Sequence, residues 1–498
     1  MRVSFVYLDR SLDRSGLSVR HVTSDPLGLR YLAGSLARGG HEVFVHLQHH
    51  RTAEEVAAEV FAFQPDILGI SCLTYNVPLS QRFARRVKEG LPAVRVVFGG
   101  EHPSLSPETT LTEDVDFVVK GEGELTLLEL LKALEQRKDV GEVKGLFRHG
   151  TASIEYTGER QLAQVDTLAW PLRDRTLVAS SRMNSFFHPI PGEQTGLVTM
   201  LASRGCSFAC SYCSSHDLWG NRTRFRDATD VADEIDHAIQ SFAANVIVFY
   251  DLTFNLNPAY AIRLCEQFIN RGFHRKVSFY ATCRISNPNG TLMLTRDLLV
   301  AMKAAGFVKI GVGLESLNEE IAGDYKGGLS PWLNSVNAIR TAHEIGLLVR
   351  LFIMVGGPRE SRQTYEETLE RLDAVPAHDL RLGYVTPLPG TRLDREVPHS
   401  SRFSSDLERY DCEQPIIKNR TFSYDELVQM ERDILTRFHS SQYRTSVIAD
   451  IVRREPRLQK AAHWRLSDLR SKGLLGHEKG RTTSSCTCGR TPMHTFHC

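Results

Sequence analysis

The chain has 498 residues, 42% of them hydrophobic, a length that exceeds what one core usually organises and predicts two or three globular domains. Lys plus Arg (60) nearly balance Asp plus Glu (59), so the basic surface of a nucleic-acid-binding protein is not expected. We see no signal peptide at the start and no run near the roughly 18 apolar residues that span a bilayer. We therefore expect a cytoplasmic protein without nucleic-acid or membrane partners. Its 10 cysteines should stay reduced there, and clustered ones should be metal ligands or catalytic thiols.

Short apolar segments alternate with amphipathic helices over roughly residues 1–140. Strand candidates at 2–8, 41–47, 66–72, 94–100 and 115–121 are rich in β-branched residues and almost continuously apolar. Such segments are typical of strands buried on both faces of a parallel sheet. They predict a doubly wound, Rossmann-like α/β domain that binds its ligand outside the carboxyl ends of the strands.

A less regular connector, 141–190, precedes a second series of strands and helices within 191–395. Six strand candidates occur at 196–205, 245–251, 276–284, 308–316, 348–357 and 380–390, and helices are predicted at 231–242, 258–270, 296–305, 331–345 and 364–372. Ser330 before Pro331 predicts a helix N-cap followed by a first-turn proline. Six βα units predict a (β/α)6 partial TIM barrel with its chemistry at the carboxyl ends of the strands.

The last part, 396–498, is predicted to be a small helical C-terminal region. Leu427, Met430, Ile434 and Phe438 form a helical stripe, and the helices should extend to about residue 472. The tail carries a final set of possible metal ligands: Cys486, Cys488, His494, His497 and Cys498. Because the tail is short, polar and terminal, a disordered end is the favoured interpretation.

The stretch "SRGCSFACSYCSS", residues 203–215, follows the first strand of the predicted barrel. A structural zinc site needs four ligands, and only His216 stands near enough in sequence to complete the set of Cys206, Cys210 and Cys213. Three thiolates can instead hold three irons of a 4Fe-4S cluster and leave the fourth iron open. The other cysteines, Cys72, Cys265, Cys283 and Cys412, are predicted to be small buried hydrophobic residues.

The cysteine spacing, with Tyr212 before the last cysteine, resembles the motif of the radical S-adenosylmethionine (SAM) enzymes. The segments at 24–43, 99–108 and 118–134, and those at 249–254, 305–316 and 386–393, resemble the cobalamin-dependent subclass. The resemblance covers residues 1 to about 395. It implies three cofactors, a 4Fe-4S cluster, SAM and cobalamin, and an electron donor such as flavodoxin or ferredoxin.

The resemblance also implies which residues contact SAM. Tyr212 would lie by the adenine, and Asp251 with Thr253 by the methionine amino group. Arg284, Glu315 and Ser316 would bind the carboxylate or the ribose. Thr253 and Ser316 have an equally good structural interpretation, since a hydroxyl at a strand end often caps the next helix.

Cobalamin is expected at the loops that follow the first-domain strands. The predicted contacts to its amides and phosphate are Ser71, Thr74, Tyr75, Asn76, Gly99, Gly100, Gly121 and Glu122. The Asp-x-His-x-x-Gly motif that supplies a histidine to cobalt in other cobalamin proteins is replaced here by "YLDRSLDRSGL", so we expect no protein nitrogen on the metal. The alternatives are His102 in the same loops and the cluster of His46, His49 and His50.

The implied function is methyl transfer from cobalamin to an unactivated carbon, or less often phosphorus, of a small molecule, with a natural-product intermediate as the expected substrate. No catalytic residue is predicted. The alternative is a ring-forming or rearranging enzyme with the same cofactors. A methylthiotransferase acting on transfer RNA would need three more cysteines in the first domain, where only Cys72 precedes Cys206. A cobalamin carrier would need the first domain alone.

Overall fold

The structure is a computed structural model of the chain that describes residues 1–8, 26–48, 51–173 and 196–440. Its strands form a seven-stranded sheet, a six-stranded sheet and a two-stranded ribbon. The α/β fold class is confirmed, with a doubly wound domain preceding a partial barrel. No helix in the described ranges is both long and apolar enough to cross a membrane.

The first sheet has the strand order β2-β1-β3-β4-β5-β6-β7, and its first five strands pair in parallel. These strands are β1 (Arg2–Tyr7), β2 (Glu42–Leu47), β3 (Ile67–Ser71), β4 (Arg95–Gly99) and β5 (Phe117–Val119). The helices are α1 (Leu27–Arg38), α2 (Ala53–Phe63), α3 (Val77–Gly90), α4 (Glu101–Leu105) and α5 (Glu124–Glu135).

Both faces of this sheet are buried, which explains why its strands are apolar throughout. Alternate strand residues such as Val3 and Val97 pack with α1 and α5 on one face. Their neighbours, such as Val96 and Val118, pack with α2 and α3 on the other. The sheet thus has two cores, and the carboxyl ends of its parallel strands stand at one edge.

The sheet continues beyond residue 140, into the segment that sequence analysis assigned to a connector. Strands β6 (Leu146–His149) and β7 (Ile154–Tyr156) add to β5 in antiparallel orientation. They are short and only partly buried, as is usual for strands at the edge of a sheet.

The second sheet has the sequential order β15-β14-β13-β12-β11-β8, all parallel, as in a partial barrel. Its strands are β8 (Leu197–Met200), β11 (Val246–Phe249), β12 (Ser278–Cys283), β13 (Phe307–Glu315), β14 (Leu348–Val355) and β15 (Asp379–Tyr384). Its helices are α6 (Ser215–Trp219), α7 (Ala228–Phe242), α8 (Pro258–Asn270), α9 (Arg296–Ala305), α10 (Glu319–Lys326), α11 (Trp332–Ile345) and α12 (Arg362–Ala374). Strands β9 (Ser203–Arg204) and β10 (Arg224–Phe225) form the separate ribbon.

Two helices follow the barrel, α13 (Arg392–Glu396) and α14 (Tyr424–Ser440). The predicted stripe of Leu427, Met430, Ile434 and Phe438 is buried and packs into the same core as the barrel strands. Helix α14 therefore extends the barrel core and has no core of its own. The remaining predicted helix to residue 472 and the Cys/His tail lie outside the described residues.

Candidate active site

The three predicted cluster cysteines lie in one loop between the ribbon strand β9 and helix α6. Cys206 is 7% exposed, Cys210 and Cys213 are partly exposed, and all three are free thiols. Gly205 has φ +86°, and a Cβ there would stand 2.2 Å from the carbonyl oxygen of Arg222, so only glycine fits before Cys206. The amide of Ser211 donates to the carbonyl of Tyr325 at 2.8 Å, which ties the loop to the barrel.

The arrangement of these thiols does not match a site for one metal ion. In the part of the chain that the structure describes, no three Cys, His, Asp or Glu side chains converge closely enough to hold one ion. His216, the possible fourth zinc ligand, instead lies 2.8 Å from Asn221 through its Nδ1 atom. A donor set of three cysteines in one loop fits a 4Fe-4S cluster, because each thiolate then binds a different iron.

Polar groups surround the cysteine sulfurs. Arg284 donates from Nη1 to Cys210 Sγ at 3.4 Å, and its guanidinium carbon lies 3.9 Å from the ring centre of Phe208. The Thr253 hydroxyl donates to the Leu252 carbonyl at 2.8 Å, and Ser215 Oγ lies 3.2 Å from Cys213 Sγ. Hydrogen bonds to sulfur are among the groups that set the potential of an iron–sulfur cluster. Arg284 and Ser215 are therefore placed against the sulfurs, and the role of Thr253 toward SAM stays a prediction.

Glu315 ends strand β13 with a φ of +65°, a conformation that non-glycine residues seldom adopt. Its buried carboxyl lies near Tyr212 and Lys326, and burial raises the pKa of the carboxyl although the positive charge of Lys326 opposes the shift. Lys326 donates to the carbonyl of Gly313 on the same strand. Tyr212 and Glu315 are thus brought together beside the cysteine loop. Strained backbone at such a position is typical of functional sites.

Asp251 has a different environment from the one predicted. Its two carboxylate oxygens accept hydrogen bonds from the Ala202 amide at 3.0 Å and the Ser203 hydroxyl at 2.5 Å. It is 3% exposed, and burial raises the pKa of the carboxyl to about 6. Asp251 therefore anchors the strand that leads into the cysteine loop. Ser316 accepts from the Asn318 amide at 3.1 Å, a local turn contact, so both remain predictions as SAM contacts.

An open cleft of about 1380 Å³ lies between the two sheets. The first domain contributes five of the predicted cobalamin contacts to its lining, Ser71, Gly99, Gly100, Gly121 and Glu122. The barrel side contributes Leu201, Arg204, Gly205, Leu218, Trp219, Tyr250 and Leu252. The cleft therefore connects the carboxyl edge of the first sheet with the residues next to Cys206.

The inner part of the cleft is apolar and runs between the first sheet and helices α1 and α5. It is lined by Phe5, Leu29, Val97, Val119 and Leu127 among others. At Gly69 a Cβ would come within 2.6 Å of the Phe5 ring, so this slot depends on the missing side chain. A deep apolar slot below a polar, glycine-rich mouth fits cobalamin, which combines an aromatic base with a ring bearing amide groups.

The other three predicted cobalamin contacts, Thr74, Tyr75 and Asn76, lie in the loop that follows β3, and His102 packs against this loop from α4. Asn76 donates to the Leu8 carbonyl at 2.8 Å and accepts from the Leu73 amide at 2.8 Å. His102 is buried between the hydroxyls of Thr74 and Thr109, at 3.2 and 2.8 Å, and burial lowers the pKa of its imidazole to about 4. The hydroxyls of Tyr75 and Tyr7 lie 3.3 Å apart. These contacts explain the residues structurally, so their role toward cobalamin stays a prediction.

The alternative histidine cluster is only partly described. His46 is buried between Ser4 and Glu59, 3.1 Å from each, which is an ordinary structural role. His49 and His50 lie outside the described residues.

Sequence reasoning missed several residues of the cleft, above all Tyr31, Glu124 and Arg204. Arg204 donates to Glu124 at 2.7 Å, and its guanidinium carbon lies 4.5 Å from the ring centre of Tyr31. The partners come from different domains and are far apart in sequence. One feature of the sequence could have indicated charged contacts at this place. Two arginines, Arg204 and Arg224, flank the cysteine motif in a chain otherwise balanced in charge.

Two family models match the chain, the B12 binding domain over residues 16–131 and the Radical SAM superfamily over residues 200–372. The chain is 29% identical to an uncharacterised methyltransferase of Pyrococcus horikoshii, over 84% of this chain and 88% of that protein. It is 25% identical to the anaerobic magnesium-protoporphyrin IX monomethyl ester cyclase of Cereibacter sphaeroides, over 83% and 67% of the two chains. The radical SAM methyltransferase TsrM of Kitasatospora setae, solved with cobalamin and a 4Fe-4S cluster, has a TM-score of 0.66 at 20% identity, covering 81% of this chain and 79% of that one.

A B12-binding domain followed by a radical SAM barrel, with a cleft between them and three cysteines beside it, defines a cobalamin-dependent radical SAM enzyme. The chain belongs to this enzyme family. Its cofactors are a 4Fe-4S cluster, SAM and cobalamin, as the resemblance implied.

Proposed function

We propose that the protein methylates an unactivated carbon, or less often phosphorus, of a small molecule that is an intermediate of natural-product biosynthesis. The observation that carries the proposal is the shared cleft. Its first-domain wall has the glycine-rich loops expected to hold cobalamin, while its barrel wall includes Arg204 and Gly205, directly before Cys206. A reaction that uses both cofactors needs them to face one cavity.

When bound, the cluster with SAM supplies a carbon-centred radical and cobalamin supplies the methyl group. The chain's own residues position and shield these groups. Phe208, 9% exposed, and Met293, 8% exposed, pack beside Cys206 and keep water from the loop. Arg284 contacts the Cys210 sulfur, and Glu315 and Tyr212 offer polar groups to the ribose and the adenine of SAM.

The proposal includes an electron donor of the flavodoxin or ferredoxin type, because radical cleavage of SAM consumes one electron. In a methyltransferase of this kind two molecules of SAM are used per turnover, one cleaved to 5′-deoxyadenosine and one converted to S-adenosylhomocysteine.

Ring formation or rearrangement is the second candidate. It is favoured by the similarity to the magnesium-protoporphyrin cyclase, which extends over 83% of this chain. The same two cofactor sites are compatible with such a reaction, since one fold can support several reactions.

The test is a product balance with the reconstituted enzyme and a candidate substrate. SAM carrying a deuterated methyl group should label the product, and one 5′-deoxyadenosine and one S-adenosylhomocysteine should appear for each methylated molecule. Product that gains no methyl group while 5′-deoxyadenosine accumulates alone would contradict methyl transfer and support the cyclase type.

A further inference from the structure

The ribbon that leads into the cysteine loop is joined to the first domain by four charged side chains. Glu122 and Glu124 come from the turn before α5 and the start of that helix, while Arg204 and Arg224 are register partners in the ribbon. Arg224 binds both carboxylate oxygens of Glu122, one of them at 2.9 Å, and Arg204 binds Glu124 at 2.7 Å. We name these four residues the interdomain clamp.

The interdomain clamp is largely withdrawn from water. The side chains of Glu124 and Arg204 are 5% and 12% exposed, and those of Glu122 and Arg224 are 10% and 18% exposed. Burying an ion pair costs desolvation that its attraction seldom exceeds, so apolar residues would hold two domains together at least as well. What a buried, two-pronged ion pair adds is a fixed geometry, because arginine and carboxylate bind best in one plane and at one distance.

The ribbon is fixed from the barrel side as well. Asp251 accepts hydrogen bonds from Ala202 and Ser203, the two residues before Arg204. Cys206 follows Arg204 by two positions, and Glu122, Glu124 and Arg204 all line the cleft between the domains. A single short ribbon thus connects the expected cobalamin site with Cys206, the first predicted cluster ligand.

We propose that the interdomain clamp consists of positioning residues that set the distance and orientation between cobalamin and the iron–sulfur cluster. This inference rests on the proposed function only in requiring that both cofactors bind. Opening the clamp should allow the ribbon, and with it the cluster, to move relative to the first domain. Both cofactors should still be bound, because the cysteines and the glycine loops remain intact.

The test measures the separation of the cofactors without a substrate. Protein reconstituted with cluster and cobalamin is reduced to the paramagnetic state of both, and pulsed electron paramagnetic resonance gives the dipolar coupling between them. For Arg224→Gln and Glu124→Gln we expect a shifted and broader distance distribution than in the wild type, with iron, sulfide and cobalamin contents retained.

Arg82→Gln is the matched control. Arg82 pairs with Glu408 at 3.0 Å and also joins the first domain to the rest of the chain, but its side chain is 60% exposed and it lies outside the cleft lining. Its loss should leave the distance distribution unchanged.

Three results would overturn the proposal. The distribution could remain as narrow as the wild type in both clamp variants, or change equally in Arg82→Gln. Clamp variants could also lose a cofactor, which would mean that the clamp holds that cofactor and does not set a separation. Failure of the proposed function is distinguishable, because wild-type protein would then either bind only one cofactor or show the expected coupling yet transfer no methyl group.

Discussion

The two domains that meet at the cleft are expected to bind their cofactors by different means. The first domain offers backbone and shape: Gly99, Gly100 and Gly121 stand at the strand ends, above an apolar slot. Beside the cysteine loop, outside the cleft lining, the barrel offers charged side chains, such as Arg284 against a cysteine sulfur and Glu315 near Tyr212. Binding of cobalamin should therefore be weakened mainly by added side-chain volume, and binding of the cluster and SAM mainly by the loss of a charge.

The difference follows from the chemistry of the ligands. Cobalamin is a large, mostly neutral group, and a wide cleft with peptide groups at its mouth can bind it by contact area. The cluster and SAM carry charge that changes during the reaction, and fixed charges in a dry site act strongly on such groups. Substitutions in each domain can separate binding by contact area from binding by charge.

The largest effect is expected at the cysteine loop, where no other side chain can replace a thiolate. Cys206→Ala, Cys210→Ala or Cys213→Ala should each abolish formation of 5′-deoxyadenosine, because a cluster that lacks a ligand is lost or changes its potential. Cys265→Ala, at a buried cysteine in α8, is the control and should retain iron and activity. Iron content and 5′-deoxyadenosine are measured together. Wild-type turnover in any loop variant would contradict the cluster assignment.

A smaller loss is expected when one charge is removed from the barrel site beside the cysteine loop. Glu315→Gln keeps the shape of the side chain but removes the acceptor charge beside Tyr212 and Lys326. We expect SAM affinity to fall roughly tenfold to a hundredfold, the size of one lost charge-assisted hydrogen bond. Equilibrium binding of SAM to the cluster-loaded enzyme tests this. Glu320→Gln, on the exposed face of α10, should bind SAM normally. Equal affinities in both variants would remove Glu315 from the SAM site.

On the cobalamin wall, the matching change adds one methyl group. Gly100 has φ +99° and ψ −166°, and a Cβ there would lie 2.8 Å from the Cys72 carbonyl oxygen. Gly100→Ala should store strain of about 1–3 kcal/mol at the cleft mouth and weaken cobalamin binding by about tenfold. Gly40→Ala is the control, since Gly40 also has a positive φ, +84°, but no atom lies within 4 Å of its Cβ position. If both variants bind cobalamin alike, the shape of this loop is not what holds the cofactor.

The two parallel sheets could be predicted because each of their strands is a short, almost continuously apolar segment of the sequence. The helices at 258–270 and 296–305 were predicted to the residue, since Asn257 and Thr295 cap their first turns through side chains. The Ser330 cap was wrong: Pro331 is the N-cap residue, without a side-chain hydrogen bond, and the helix begins at Trp332. Strands β6 and β7 escaped prediction because their partly exposed edge pattern resembles that of a connector.

The site was harder to predict where it depends on contacts between distant residues. The cysteine motif is local, so its place at the mouth of the barrel could be read directly. Arg204 and Glu124 are 80 positions apart by their numbers, and nothing in either neighbourhood indicates the other. Asp251 stands at the predicted strand end, yet its side chain turns back to the Ala202 amide. Position on a strand predicts the edge of the sheet, but not the direction of a side chain.

His102 gives the smallest expected effect, one of stability rather than activity. Its imidazole lies between two threonine hydroxyls, and burial lowers its pKa from 6.5 to about 4. Above pH 6.5 the group is neutral in both the folded and the unfolded state. As the pH falls toward 4, the unfolded chain binds a proton that the folded chain does not, so the stability contributed by the neutral histidine is lost. Between pH 7 and pH 5 this loss should be about 2 kcal/mol. Thermal unfolding of the holoenzyme at the two pH values should therefore show a smaller acid shift for His102→Gln than for the wild type. An identical acid shift in the two proteins would mean that His102 is protonated in the folded state at pH 5, contrary to its burial between Thr74 and Thr109.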